Sequence, residues 1–276
     1  MRLSPEVNGC IVFIGYEDNG RVSYGGTGFF VGVNSPANPD MVYLHVVTAR
    51  HVVANLPDGE LVLFANHVDG VGVELKLKSP RWWYHPNDSS ADVAVLGWLP
   101  PEEIDVSVVP EEMVLDGQMA IARGVGPGDE VFVTGLFTSL RPGPTVLPIV
   151  RTGNVAMIPD RKIPTQKFGN MDAYLIEVRS LGGLSGSPVF LIEPENSGRT
   201  RRLWLLGLIH GHWDETSSQS GNSRSGTNAG IGVVTPAGKI KETLHQPALV
   251  DLRAQRDEVY RRRADAGADP VPSPAD

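Results

Sequence analysis

The chain has 276 residues, 41% of them hydrophobic and 20% charged, and a formal net charge of −8 at pH 7. This length is sufficient for one large domain or two small ones with a substantial core. The acidic balance excludes a global positive field that would attract nucleic acid, and no apolar run is long enough to span a membrane. We therefore expect neither a nucleic-acid nor a membrane partner.

The cysteine content and the N-terminus bear on the cellular compartment. Cys10 is the only cysteine, so no intramolecular disulfide can form and a cysteine-based metal site is not favoured. The first 20 residues lack a long apolar segment after a basic start, and they do not predict a signal peptide. These features favour a cytoplasmic protein.

Short β-rich segments dominate residues 1–100, and turn residues separate them. In chain order they are CIVFIGY, GFFVGV, VYLHVVTA, ELVLFANHV, GVELKLK and DVAVLGW. Many short strands punctuated by Gly and Pro are typical of an all-β sandwich or barrel. We interpret this stretch as an N-terminal β-barrel.

A proline- and acid-rich stretch, LPPEEIDVSVVPEEM (99–113), separates this group of strands from a second one. Its composition suits an exposed connection, and we place a crossing linker at 101–115. The segments between 116 and 245, among them EVFVTGLF, AYLIEV, PVFLI and LWLLGLIHGHW, predict a second barrel. Few stretches before residue 236 keep a helical period.

The C-terminal region, 246–276, is predicted to hold a helix and a disordered tail. Before this region, Thr235 followed by Pro236 is a good entry for a first helix in TPAGKIKETL. Within 247–264, Leu249, Leu252 and Val259 recur near one helical face together with Tyr260. The final residues, DAGADPVPSPAD, lack the apolar content that folding requires. A second polar segment, the loop 214–230, is predicted to be mobile and to become ordered when a substrate or partner binds.

The segment LGGLSGSPVF (181–190) places one hydroxyl, that of Ser185, among three glycines. Glycine permits backbone shapes that other residues avoid. The segment is consistent with a loose turn, or with a nucleophile on a strained turn whose amide groups point at a substrate. A serine nucleophile needs a base to take its proton and a third group to orient that base.

Two other residues fit those roles. His51 follows the apolar strand YLHVVTAR where the chain turns, and Asp92 directly precedes the apolar strand VAVLGW. A buried carboxylate needs a hydrogen-bonding partner, and an imidazole N–H is one. Asp88 is a rival acid, but it lies in a turn-like segment and we expect it to be solvated.

Three motifs in this order resemble those of the trypsin-like, chymotrypsin-fold serine proteases, and in particular the bacterial members without disulfides. VVTARHVV resembles their Thr-Ala-x-His segment, HPNDSSADVAVL their Asp-containing segment, and GGLSGSPVF their Gly-x-Ser-Gly segment. The similarity covers residues 9–245. Val52 stands where secreted members carry a cysteine, and Leu184 where zymogen-type members carry an aspartate, so that type of activation is not expected.

The resemblance implies two six-stranded antiparallel β-barrels with the active site in the cleft between them. It implies that His51, Asp92 and Ser185 form a catalytic triad, and that the N–H groups of Gly183 and Ser185 form the oxyanion hole. The implied activity is that of a serine endopeptidase acting on protein or peptide substrates through an acyl-enzyme, without a cofactor. A regulatory partner is possible, and the alternative is a catalytically idle protease-fold module that binds or regulates.

The same resemblance suggests a substrate pocket. Arg179, six residues before Ser185, would lie at the base of the pocket, and His210 would lie on its wall. A guanidinium pairs well with a carboxylate, which favours cleavage after Glu or Asp. Alternatively, Arg179 turns to solvent or pairs with Glu177, and His210 sits behind Asp92 as a second hydrogen-bond donor.

Two other hydrolase classes fit less well. An α/β-hydrolase would need βαβ alternation and the chain order Ser, Asp, His, and neither is present. A metal hydrolase could use His210, His212 and Asp214, which alternate along one strand and would share a face. No further His or Cys cluster completes such a site, so we expect no metal.

Overall fold

The computed structural model of the protein describes residues 5–54, 60–140, 143–165, 169–179, 182–193, 202–215 and 227–265. The N-terminal strands are β1 Ile11–Asp18, β2 Arg21–Asn34, β3 Val42–Thr48, β4 Glu60–Asn66, β5 Gly72–Lys78, β6 Trp83–Tyr84, β7 Ala94–Gly97 and β8 Val109–Pro110. The C-terminal strands are β9 Glu130–Gly135, β10 Ile149–Met157, β11 Ile163–Thr165, β12 Gly169–Met171, β13 Tyr174–Glu177, β14 Pro188–Glu193, β15 Arg202–Glu215 and β16 Thr227–Pro236. The helices are α1 Pro5–Gly9, α2 Arg50–Ala54, α3 Gly117–Ala122, α4 Ala237–Leu244 and α5 Pro247–Asp265, with a 3₁₀ turn at Glu111–Met113. The mostly β architecture agrees with the sequence prediction.

The N-terminal strands form one eight-stranded sheet in the order β5-β4-β1-β2-β3-β7-β6, and β8 pairs in parallel with β2. The prediction of a six-stranded barrel here is therefore corrected, since β5 and β6 are the ends of the sheet among the described residues. Ser79 leaves β5 with a φ of 48°, and Pro80 has no N–H to donate. The chain consequently leaves the β5 ladder there, and β6 pairs with β7 instead.

The C-terminal strands form a closed barrel of six, in the order β10-β13-β16-β15-β14-β9, as the sequence predicts for this half. Strand β9 is buried on both faces. Val131 and Val133 pack inside the barrel. Phe132, between them, points the other way and stacks on Phe190 in a cluster that includes Phe29 of the N-terminal sheet. Alternation along one strand thus builds both the barrel interior and the contact between the two halves.

Helix α4 begins at Ala237, directly after Pro236, as predicted, but the buried face of α5 differs from the sequence pattern. Leu249 is buried, whereas Leu252 and Val259 are exposed. The inward face carries Arg253 and Asp257 instead. Polar partners on the N-terminal sheet make this possible, and a hydrophobic pattern cannot reveal them.

Part of two predictions falls outside the described residues. The proposed mobile loop includes 216–226, and the proposed tail includes 266–276; neither of these stretches is described. Among the helices that are described, none has the length and apolar character needed to cross a membrane.

Candidate active site

The pairing of β3 with β7 brings His51 and Asp92 together. Thr48, at the end of β3, is opposite Ala94, at the start of β7. His51 lies three residues beyond Thr48, in the first turn of α2, and Asp92 lies two residues before Ala94. The backbone N–H of His51 donates to Asp92 Oδ1 at 2.9 Å, and His51 Nδ1 lies 2.7 Å from Asp92 Oδ2. Both carboxylate oxygens therefore hold the same residue.

Asp92 is fully buried and has a second imidazole partner. His210 Nδ1 lies 2.6 Å from Asp92 Oδ2. Burial by itself raises the pKa of Asp92, but the hydrogen bonds from His210 and His51 outweigh it and hold the pKa well below its usual range. A carboxylate only accepts hydrogen bonds, so Nδ1 of each histidine carries the proton. In neutral His51 the lone pair is then on Nε2.

His210 lies on β15 and its side chain is 6% exposed. Its contact with Asp92 matches the alternative placement behind the acid rather than a pocket wall. The expectation that His210 and His212 share a face is wrong, because β15 has register irregularities between Ile209 and Gly211 and between His212 and Asp214. His212 is exposed while His210 is buried, so the two imidazoles have different surroundings.

Ser185 occupies a tight turn that leads into β14. Gly186 has a φ of 83°, and a Cβ built on it would lie 2.1 Å from the carbonyl oxygen of Thr27 and 2.3 Å from Thr48 Oγ1. Only glycine fits that position. The Ser185 side chain is partly exposed, and its Oγ lies 3.5 Å from the carbonyl oxygen of His210. The structure thus brings Ser185 beside the residue that also contacts Asp92.

The two amides predicted to bind an oxyanion are those of Gly183 and Ser185. Within the part of the chain that the structure describes, the N–H groups of Gly183 and Ser185 make no hydrogen bond to the protein. Gly183 has a φ of 93°, and a Cβ there would lie 2.8 Å from the carbonyl oxygen of Leu136. A buried turn that leaves two N–H groups unused has them available for a ligand.

The remaining predicted residues lie elsewhere. Arg179 follows β13 and is exposed, and no ion pair joins it to Glu177 among the described side chains. Asp88 is not solvated as expected, because its carboxylate lies 3.1 Å from Lys162 Nζ and 3.2 Å from Lys239 Nζ. Burial raises the pKa of Asp88, but bonds from Ser90 and the two lysines lower it well below its usual range. The described partners of Asp88 are thus two lysines and Ser90 rather than His51.

The cluster of His51, Asp92 and His210 also has the composition of a metal site. One ligand atom from each lies within 4.8 Å of the others. However, the two N–O contacts of 2.7 and 2.6 Å are hydrogen-bond lengths. Ligand atoms around a tetrahedral zinc ion would lie about 3.4 Å apart. The geometry fits protons shared between these groups better than it fits a metal ion.

One residue at the site escaped sequence reasoning. Thr27, on β2, donates through Oγ1 to the carbonyl oxygen of Gly183 at 2.7 Å, and its N–H donates to the carbonyl oxygen of Ser185 at 2.9 Å. Thr27 and the nucleophile turn are 156 residues apart at the first of these contacts. Thr27 directly precedes the predicted strand GFFVGV, but nothing in the sequence indicates which group its hydroxyl contacts.

Comparisons with known proteins bear on the fold. No protein-family model matches the chain, and no curated protein matches it in sequence. Among solved structures, it is similar to the MamO protease domain from Magnetospirillum magneticum in its apo form, at 18% identity and a TM-score of 0.55, covering 88% of this chain and 100% of that one. A second match is Deg5, at 17% identity and a TM-score of 0.45, covering 74% and 80% of the two chains. The similarity to the MamO domain shows that the chain has the trypsin-like protease fold.

Proposed function

We propose that this protein is a serine endopeptidase in which Ser185 is the nucleophile, His51 the general base and Asp92 the group that orients His51. The observation that carries the proposal is the pair of hydrogen bonds by which Asp92 fixes His51. One carboxylate oxygen accepts the backbone N–H and the other accepts Nδ1–H, so the imidazole has a fixed position and a fixed tautomer. A histidine with only a structural role would not need both.

The reaction follows from these groups. His51 Nε2 takes the proton of Ser185 Oγ while Oγ attacks the peptide carbonyl carbon. The N–H groups of Gly183 and Ser185 stabilise the negative oxygen of the tetrahedral intermediate. His51 then gives the proton to the leaving amine, and the C–N bond breaks to leave an acyl-enzyme. Water, activated by the same imidazole, hydrolyses the ester and restores Ser185.

An open edge of β15 supports a peptide substrate. The pairing of β14 with β15 begins at Pro188 and Leu208, and Gly186 N–H reaches the carbonyl oxygen of Ile209. Beyond that point β15 pairs with β16 alone among the described strands. An extended peptide could add to this edge by main-chain hydrogen bonds, which would place one of its carbonyl groups beside Ser185. Trp213, 38% exposed on the same strand, offers apolar contact area.

The residue preference at the cleavage site is a separate part of the proposal. The preference rests on the resemblance, which puts Arg179 near the substrate pocket. Arg179 is exposed, as in the alternative in which it turns to solvent, and from there its guanidinium could still reach a substrate carboxylate. We expect cleavage after Glu or Asp in a peptide library, and loss of that preference in Arg179→Ala. Cleavage mainly after Ala, Val or Leu, unchanged by the substitution, would remove the preference and leave the mechanism intact.

A fluorophosphonate probe tests the nucleophile directly. The parent protein should be labelled, and Ser185→Ala should not be labelled and should lose about 10⁴- to 10⁶-fold in kcat, because the triad acts as a unit. Ser90→Ala is a matched control, since Ser90 contacts Asp88 rather than Asp92. Absence of both labelling and peptide hydrolysis in the parent would support the alternative, an idle protease-fold module.

A further inference from the structure

The turn that carries Ser185 is held by four successive carbonyl groups, each of which accepts a hydrogen bond from inside the protein. Thr138 Oγ1 donates to Gly182 O at 3.0 Å, and Ser187 N donates to Leu184 O at 2.9 Å. The other two carbonyls, those of Gly183 and Ser185, are both held by Thr27. Since a trans peptide places its N–H opposite its C=O, fixing the Gly182 and Leu184 carbonyls inward turns the N–H groups of Gly183 and Ser185 outward.

Thr27 is the part of this frame that comes from the N-terminal sheet. Its side chain is fully buried, and its hydroxyl is saturated, because Oγ1 donates to Gly183 O at 2.7 Å and accepts the N–H of Leu136 at 2.9 Å. Its backbone N–H holds Ser185 O at 2.9 Å. The remaining contacts of the frame arise within the C-terminal half. One residue of β2 therefore fixes the Gly183–Leu184 and Ser185–Gly186 peptide units, which lie on either side of the unit that carries the Ser185 N–H.

Thr27 is itself anchored to the segment that carries the proposed base. Thr48 Oγ1 donates to the carbonyl oxygen of Thr27 at 2.7 Å, and Thr48 lies three residues before His51. The chain of hydrogen bonds therefore runs from the end of β3, through Thr27, to the turn of Ser185. Gly183 and Gly186 of that turn lie in close contact with neighbouring groups, since a Cβ built on either would be less than 3.0 Å from other atoms.

We infer that Thr27 is a positioning residue: it fixes the position of the oxyanion-binding N–H groups of Gly183 and Ser185 relative to the imidazole of His51. This inference rests on the proposed peptidase function. Loss of the hydroxyl frees the carbonyl of Gly183 and the N–H of Leu136, both of which are buried and would seek other partners. The Gly183–Leu184 peptide unit is then free to rotate. Because it links the two units that carry the Gly183 and Ser185 N–H groups, its rotation displaces these groups from the position that the developing oxyanion requires.

Thr27→Val and Thr27→Ser separate this role from packing. Valine keeps the shape and removes the hydroxyl, whereas serine keeps the hydroxyl and removes a methyl group. We expect Thr27→Val to lower kcat by about 10- to 100-fold with KM changed by less than about 3-fold, since small misplacement of catalytic groups has effects of that size. Thr27→Ser should retain kcat within about 3-fold. Equal losses in the two variants, or a loss in KM alone, would overturn the inference.

Thr243→Val is the matched control. Thr243 is equally buried and loses one hydrogen bond to a carbonyl, that of Lys239 in α4, away from the turn. It should lower the melting temperature as Thr27→Val does, but leave kcat unchanged. If Thr27→Val does not fold, Thr27→Cys keeps a weak donor and acceptor at the same position and should give an intermediate kcat.

Amide exchange gives a readout that does not depend on activity. The N–H of Leu136 donates to Thr27 Oγ1, so its exchange rate should rise in Thr27→Val and stay at the parent value in Thr27→Ser and Thr243→Val. An unchanged exchange rate of the Leu136 N–H in Thr27→Val would contradict the inference, whether or not the parent hydrolyses peptides. A parent that lacks hydrolysis and labelling, together with faster Leu136 exchange, instead removes the proposed function and keeps the frame.

Discussion

Two buried carboxylates of this protein have nearly the same exposure and different partners. Asp92 is 0% exposed and contacts the imidazoles of His51 and His210. Asp257 of α5 is 2% exposed and accepts hydrogen bonds from the hydroxyls of Ser35, at 2.5 Å, and Tyr43, at 2.6 Å. Imidazoles exchange protons near neutral pH, whereas hydroxyls remain neutral there. The partners, rather than the burial, therefore distinguish a site that can transfer protons from one that fastens a helix.

The Asp257 site joins α5 to the N-terminal sheet. Tyr43 OH also reaches the carbonyl oxygen of Arg253 at 3.1 Å, and the Arg253 guanidinium donates to the carbonyl of Leu244. Burial raises the pKa of Tyr43, and the Asp257 carboxylate raises it further. Tyr43 therefore keeps its proton and its role as a donor over the pH range in which the triad is expected to work. The network fastens the docked helix to the N-terminal sheet.

The largest expected difference between Asp92 and Asp257 is the effect on kcat when each is replaced by asparagine. Asp92→Asn should lower kcat by about 10⁴-fold at neutral pH while the protein stays folded, because the amide selects the wrong His51 tautomer. The measurement is peptide hydrolysis together with circular dichroism. Asp88→Asn is the control and should keep kcat within about 2-fold, since Asp88 pairs with lysines. A large loss in Asp88→Asn and a small one in Asp92→Asn would reassign the acid.

His45 is a third buried group near α5, and we expect it to make the free energy of unfolding depend on pH. Burial lowers the pKa of His45 to about 4, and the charge of Arg253 adds to the shift. In the unfolded chain the pKa is about 6.5, so between about pH 6.5 and 4 the unfolded state binds the proton first. Protonation of His45 in the unfolded chain therefore lowers the free energy of unfolding, by about 3 kcal/mol in total between pH 6.5 and 4.

The stability of His45→Gln tests this effect. Glutamine cannot be protonated, so its unfolding free energy should fall less steeply than that of the parent between pH 6.5 and 4. The contribution of Asp92, whose pKa is lowered in the folded state, is lost only below about pH 4 and does not overlap this window. Parallel urea-unfolding curves for parent and variant across the window would show that His45 has no such role.

The second donor to Asp92 gives a smaller effect on catalysis. His210→Phe keeps the ring and removes the N–H, and should lower kcat by about 10- to 100-fold through a less firmly held carboxylate. His210→Asn keeps an amide donor near the position of Nδ1 and should stay within about 5-fold of the parent. If His210 acts only through packing, the order reverses, because asparagine leaves the larger cavity. Steady-state kcat and KM for both variants distinguish the two.

The smallest catalytic effect is expected at Asp257. Asp257→Asn should leave kcat within about 2-fold and lower the unfolding free energy by about 1 kcal/mol, because both hydroxyls donate to Oδ1 and a neutral amide oxygen accepts them less strongly than a carboxylate oxygen does. Thermal unfolding at pH 7 measures it. A loss of kcat comparable to that of Asp92→Asn would mean that the two carboxylates are coupled and that the contrast drawn between them is wrong.

Much of the fold and of the candidate site could be predicted from local sequence. The β-rich segments recur in the structure as strands, since alternating apolar residues and turn residues act over a few positions. His51, Asp92 and Ser185 stand out because each sits in a distinctive segment: a strand end, a strand start and a glycine-rich turn. The contact between His51 and Asp92 then follows from the pairing of two neighbouring strands.

Other features depend on contacts between distant parts of the chain. The hydroxyl of Thr27 and the imidazole of His210 reach their partners across 156 and 118 residues. Leu252 and Val259 lie on the exposed side of α5 because Arg253 and Asp257 find buried partners on the N-terminal sheet. The sheet itself stays open where Ser79 and Pro80 leave the β5 ladder. Sequence alone determined which residue types were available and the local shapes they favour. Only the tertiary structure decided which polar groups meet, because a buried hydrogen bond depends on where both partners lie.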